Sequence, residues 1–282
     1  TNPKHKQQVR NTLKEYAYPF IGKIPVADIT IHDIRKCLDP IWNTKTETAS
    51  RLRQRLESVF AYALVNEYRT NQNPAQWKGY LDQTYTNPEQ IKRNKHTANN
   101  SDGHMNALSY TDAPSFMNKL RQQQAVSANA LEFTILTASR TKPIRFMTWD
   151  QVDLDSKIWT IPASLMKTKR EFKVALSSAA LSVVKALPPL DEYVFPGGKA
   201  GKPMSENTML KLLERMDYKD ITVHGFRSTF RDWAGEFTEF DTQLAEYALA
   251  HKLSNATERA YARGDQLEKR FKLMDAWATF LG

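Results

Sequence analysis

Apolar side chains recur at spacings of three and four through the first part of the chain, the period of an amphipathic helix. Val9, Leu13, Tyr16 and Ala17 form one such stripe, which predicts a helix from Lys4 to Tyr18 that Pro19 stops. After a turn through Gly22 and Pro25, Ile31–Trp42 is a second amphipathic stretch. Thr46–Tyr68 is a third, with Leu52, Leu56, Phe60, Ala61 and Leu64 on one face and Arg51 and Arg55, one turn apart, on the other. Pro74–Tyr85 reads as a short fourth helix, so residues 1–86 are expected to form an all-helical domain.

The pattern then breaks. Residues 87–108 are polar, aperiodic and rich in turn formers (Asn99-Asn100-Ser101-Asp102-Gly103), the signature of a linker. Beyond it, Ser109-Tyr-Thr-Asp112 opens a helix over Ala113–Gln123, and Ser127–Ser139 is a second with an apolar run. Period-two alternation arrives at Lys157–Ile161 and Phe172–Leu176, two strands separated by a basic loop. Helices are expected again near 177–187, 205–216, 226–236, 241–250 and 266–281. The fold class is therefore mainly α with a small β-sheet (α+β), residues 109–282 forming a mixed second domain.

Composition narrows the partners. The chain has 282 residues, enough for two modest cores, and no window approaches the length of a membrane span. Its single cysteine, Cys37, excludes an intramolecular disulfide and a Cys-rich zinc cluster, and the absence of a secretory leader makes the cytoplasm the expected compartment. The start without methionine is that expected of a fragment. A net charge of +9 favours a polyanion, and residues 1–100, with 16 Lys and Arg against 9 Asp and Glu, hold +7 of it. DNA gripping is expected of that part, with Lys45, Arg51 and Arg55 as phosphate contacts or ordinary solvated charges.

No Gly-rich phosphate loop, His-Glu-x-x-His or Gly-x-Ser-x-Gly is present. What remains is a series of basic residues and one tyrosine. In Thr222-Val-His224-Gly-Phe-Arg227, His224 and Arg227 stand three apart on one predicted helix face. Arg140 ends Leu136-Thr-Ala-Ser-Arg140, Lys167 lies in the loop between the strands, His251 ends Ala248-Leu-Ala-His251, and Tyr261 follows ten residues later. Singly, Arg140 reads equally as a helix cap, Lys167 as a solvated hairpin lysine, His251 as an interior histidine and Tyr261 as a half-buried aromatic.

In this order, Arg, hairpin Lys, His-x-x-Arg, His and Tyr, the chain resembles the tyrosine recombinases, specifically the integrases of phages and genomic islands. Thr46–Arg53, Trp149-Asp-Gln-Val-Asp153, Val223–Asp232, Leu249–His251 and Ala260–Arg263 carry the resemblance, which covers nearly the whole chain. It implies a SAM-like core-binding domain and a mixed catalytic domain closing around duplex DNA, for integration and excision of a mobile element. Arg140 and Arg227 would hold the scissile phosphate, Tyr261 would attack it to give a 3′-phosphotyrosine, and Lys167, with Lys169 nearby, would protonate the leaving 5′-oxygen. His224 would be the acid/base partner and His251 a hydrogen-bond donor to the phosphate. No cofactor or metal is implied.

Expected partners are the attachment core site in double-stranded DNA, three further protomers in a tetramer on it, and DNA-bending or excisionase proteins. An N-terminal arm-binding domain would lie outside this chain. The stripe Leu267, Phe271, Met274, Trp277 and Leu281 would pack on its own domain or on a neighbouring protomer. Two departures stand out: Thr141-Lys142-Pro143 follows the first arginine where the family has Pro-Gly-Glu, and Glu171-Phe-Lys-Val-Ala-Leu176 replaces Glu-His-Arg-Val-Pro-Leu. A catalytically impaired DNA-binding relative, a type IB topoisomerase-like enzyme and, more remotely, a metal nuclease are the competing readings.

Overall fold

The computed structural model describes residues 3–98, 107–251 and 266–282, and the chain divides into two compact units, Thr1–Gly103 and His104–Gly282.

The first unit is helical. α1 (Pro3–Tyr16) is followed at once by the single turn α2 (Tyr18–Ile21), so Pro19 sits in the first turn of a new helix, where its missing N–H costs nothing. α3 (Ile31–Trp42) starts on a capping box in which Thr30 and Asp33 satisfy each other's backbone N–H. α4 (Thr46–Val65) buries Leu52, Leu56, Phe60 and Ala63 against Ile34, Cys37 and Leu38. Ala61, expected on that face, is exposed, and the helix ends three residues before Tyr68.

The expected helix Pro74–Tyr85 is turns and one 3-10 turn, Leu81–Gln83. Side chains tie this segment down instead. Arg69 donates to the carbonyls of Val26, Ala27, Ile29, Asn71 and Gln72, and Asn73 Nδ2 donates to Glu57 O at 2.8 Å. Part of the segment read as linker is helical, α5 (Pro88–Ala98), because Ile91 finds a place in this core and Lys92 bridges Glu47 and Glu89.

The second unit is the mixed one. α6 (Ala113–Arg121) and α7 (Val126–Leu136) precede a five-residue helix, α8 (Thr141–Arg145), that the sequence pattern did not suggest. An antiparallel meander follows, β1 (Val152–Asp153), β2 (Ile158–Ile161) and β3 (Phe172–Ala175), with Trp159 paired to both Val152 and Val174 and fully buried. α9 (Ser178–Lys185), α10 (Thr208–Arg215), α11 (Phe226–Glu236), α12 (Thr242–Ala248) and α13 (Leu267–Leu281) complete it. The α+β class is as expected.

The α13 stripe packs on its own unit. Of its residues Met274, Trp277 and Leu281 are buried and Leu267 and Phe271 partly so, with Leu273, outside the predicted stripe, buried beside them; Trp277 Nε1 donates to Ile135 O at 2.9 Å, and Arg270 donates to Lys173 O on β3 while lying over the Phe172 ring. Among the described residues no helix is long and apolar enough to cross a membrane.

Candidate active site

Two helix ends build the site, and they end the same way. α7 stops at Leu136, Ala138 takes a left-handed φ of 46°, and the N–H groups of Ala138 and Ser139 return to Ile135 O and Thr134 O. α12 stops at Ala248, Ala250 takes φ 50°, and the N–H groups of Ala250 and His251 return to Tyr247 O and Glu246 O. This double return is the Schellman closure, usually made with glycine. Alanine in the left-handed region costs on the order of 1–2 kcal/mol, and here the turns place Arg140 two residues after one such alanine and His251 directly after the other.

Arg227, in the first turn of α11, lies between those two ends. It is 5% exposed; Nη1 donates to Ala138 O, and Nη2 donates to Leu249 O at 2.7 Å and faces His251 Nε2 at 3.0 Å. Its Nε is buried and has no partner among the described residues. An orphan donor of this kind costs about 1–3 kcal/mol, recoverable when an acceptor such as a phosphate oxygen arrives. Burial first, and repulsion from Arg140 second, pull its pKa down to about 9 against the attraction of Glu246, so it remains a cation at neutral pH.

Arg140 is the N-cap of α8 and half-buried, its guanidinium held by no hydrogen bond or ion pair among the described residues, and burial lowers its pKa. Both arginines line a hollow whose other walls include Pro143, the hairpin residues Met166 and Phe172, and Ala250. Pro143 is the third residue of α8, where a helix has no use for the N–H that proline lacks.

His224 precedes α11 rather than lying on it, but Arg227 N donates to His224 O at 3.1 Å, so the two still stand one turn apart. Burial first, then repulsion from Arg227 and Arg140, hold the His224 pKa below the ordinary value, which leaves the imidazole mostly neutral at pH 7. The four groups His224, Arg227, Arg140 and His251 are thus close enough to act on one another. Lys167 lies on the exposed β2–β3 loop next to Met166, without a partner among the described residues, and Lys169 takes φ 56° two positions on. Tyr261 lies outside the described residues. Glu246 was missed by the sequence reading; its signal was its place five residues before His251, where the Schellman turn brings the two together.

In the first unit Lys45 donates to Tyr16 Oη at 2.9 Å and Arg51 pairs with Glu47 at 2.7 Å, while Arg55 has no partner among the described residues. No group of three or more His, Cys, Asp or Glu placed to hold a metal ion occurs among the described residues.

A helical unit followed by a mixed one that brings two arginines to one hollow, with two histidines acting on them, defines a class, and family models identify it. The phage integrase central domain matches residues 1–80 and the phage integrase family matches residues 106–268. The chain belongs to the phage integrase family, the tyrosine recombinases. It is 30% identical over 279 residues to prophage integrase IntZ of Escherichia coli K12, covering 97% of this chain and 65% of that protein. To the integrase of Enterobacteria phage P4 it is 28% identical over 300 residues, covering 98% and 65%. The chain therefore spans about 65% of the length of these curated relatives. A lambda integrase dimer bound to a COC′ core site shares the fold with a TM-score of 0.68 at 16% identity, over 94% of this chain and 73% of that one. The Tn1549 transposon integrase in complex with circular intermediate DNA does so with 0.65 at 11%, over 94% and 90%.

Proposed function

We propose that this chain carries out site-specific DNA strand cleavage and rejoining for integration and excision of a mobile element. The observation that carries the reading is the meeting of Arg140 and Arg227 at one hollow, Arg227 with a buried Nε–H that has no partner among the described residues. Two guanidinium forks suit the non-bridging oxygens of a phosphodiester as charge builds on them. The Tyr261 phenolate attacks phosphorus and the 5′-oxygen leaves, taking its proton from Lys167. The resulting 3′-phosphotyrosine conserves the phosphoester for attack by a second DNA hydroxyl, so no ATP is consumed. His224, neutral at pH 7, accepts the tyrosine proton, and His251 contacts the scissile phosphate.

The substrate is double-stranded DNA carrying an attachment core site, with Lys45, Arg51 and Arg55 meeting its backbone. The reading places the protein in the cytoplasm, as a tetramer on DNA with bending or excisionase partners. A lambda integrase tetramer bound to a Holliday junction, of the same fold, supports that assembly.

The test is a nicked duplex carrying a core site selected from random duplexes on the protein. It is incubated with EDTA and without ATP and resolved on a denaturing gel beside Tyr261→Phe. A covalent protein–DNA band absent only from the variant supports the reading. Binding without a band favours an impaired relative, and loss of cleavage in EDTA favours a metal nuclease. A band that forms but leads only to relaxation of supercoils favours the topoisomerase-like reading.

A further inference from the structure

The Schellman turn that ends α12 returns His251 over Glu246, whose backbone oxygen accepts the His251 N–H at 3.0 Å. The side chains then meet: His251 Nδ1 lies 2.6 Å from Glu246 Oε2, and His251 Nε2 lies 3.0 Å from Arg227 Nη2. A carboxylate can only accept and a guanidinium can only donate. Nδ1 must therefore carry a proton and Nε2 must present its lone pair, which fixes the ring as the neutral Nδ1–H tautomer. The other oxygen of Glu246 is held by Arg231 Nε at 2.9 Å, from one turn further along α11. The charged groups around the ring are thus Glu246 on α12 and Arg227 on α11, with Arg231 behind Glu246, and the further titratable group is the neutral His224 before α11.

We propose that Glu246 is a positioning residue for the phosphate-gripping arginine. By accepting the His251 Nδ1–H it turns the Nε2 lone pair toward Arg227. With the carbonyls of Ala138 and Leu249, that lone pair fixes the guanidinium and leaves Nε as its one nitrogen without a partner among the described residues. His251 is then an acceptor toward Arg227 in the DNA-free protein, whereas the family resemblance implies a donor to phosphate. The catalytic consequence rests on the strand-transfer reading; the geometry of the ring does not.

Histidine labelled with 15N in the full chain reports the tautomer directly through long-range 1H–15N correlations, with His251 assigned by its substitution. The wild type is expected to show Nδ1–H; Glu246→Ala, in which the ring is no longer held against Arg227 and turns away from it, to shift to Nε2–H; and Glu246→Gln, which keeps an acceptor oxygen at the same reach, to retain Nδ1–H. An Nδ1–H tautomer that survives in Glu246→Ala overturns the proposal. Covalent-complex formation on the nicked duplex should fall about 10–100-fold in Glu246→Ala and less in Glu246→Gln. A shifted tautomer with an unchanged rate refutes the role in the reaction. A wild type that binds DNA without forming the adduct counts against strand transfer, and the tautomer then decides the positioning role alone.

Discussion

Trp277→Ala tests whether α13 is an integral part of its own catalytic unit. Trp277 is fully buried, its ring centroid lies 4.9 Å from that of Trp233 and 5.6 Å from that of Phe230, and its Nε1 donates to Ile135 O near the end of α7. Truncating a buried tryptophan costs about 3–5 kcal/mol in lost transfer energy and cavity, and the lost hydrogen bond adds roughly 1 kcal/mol. The total approaches the lower end of the 5–15 kcal/mol that holds an ordinary domain folded. Urea unfolding followed by far-UV circular dichroism, at several protein concentrations, measures it. If the stripe packs in cis, the wild-type midpoint is independent of concentration and the variant loses most of its stability; Trp277→Phe, which keeps much of the ring volume, loses less. A wild-type midpoint that rises with concentration, or a Trp277→Ala loss under about 1 kcal/mol, refutes the cis packing.

Arg140→Gln and Arg227→Gln each remove one fork from the hollow and should slow covalent-complex formation on the order of 10²–10³-fold, read by quenched-flow gel assay; a loss under tenfold would remove that arginine from the site. The His224 imidazole, its pKa lowered by burial and by Arg227 and Arg140, should titrate below about 6.5 in an NMR series on the DNA-free protein, and Arg140→Gln should raise the midpoint. Because the unfolded chain binds that proton at the higher pH, this histidine lowers stability as pH falls from its unfolded value through its folded one. An NMR midpoint at or above the unfolded value would contradict the site electrostatics. In the first unit, Arg55→Ala should lower the slope of log K against log salt for duplex DNA by about 0.9, and Lys45→Ala similarly once its bond to Tyr16 yields to phosphate. An unchanged slope for either means that the side chain does not meet the backbone.

The helices with a clean apolar stripe were legible, because burial demands the period that the sequence displays. Ile34, Leu38, Leu52, Leu56 and Phe60 show it, as do Met274, Trp277 and Leu281. Pro74–Tyr85 was misread because proline followed by mixed polarity resembles a helix start, whereas the backbone there is held by Arg69, Asn73 and Glu57, contacts that cross more than ten residues. α8 was missed because five residues cannot show a period, and α5 because, among its described side chains, Ile91 alone is buried. At the site, Arg140, His224, Arg227 and His251 were readable from their order. The turns that bring them together were not, since Ala138 and Ala250 occupy left-handed positions where glycine would have announced a helix end.

One departure from the family pattern bears on the electrostatics of the site. With Pro143 in place of an acid after the first arginine, α8 brings no carboxylate to the hollow and supplies an apolar wall beside Arg140. Among the charges that act on Arg227, the attractive one is Glu246, and it arrives from the opposite side, through the α12 turn and His251. A carboxylate in direct contact with Arg140 would compete with a phosphate for the same guanidinium fork. One that touches Arg227 only through an imidazole orients the cation and leaves its Nε–H unclaimed. The left-handed Ala250 belongs to the turn that puts His251 within reach of both Glu246 and Arg227.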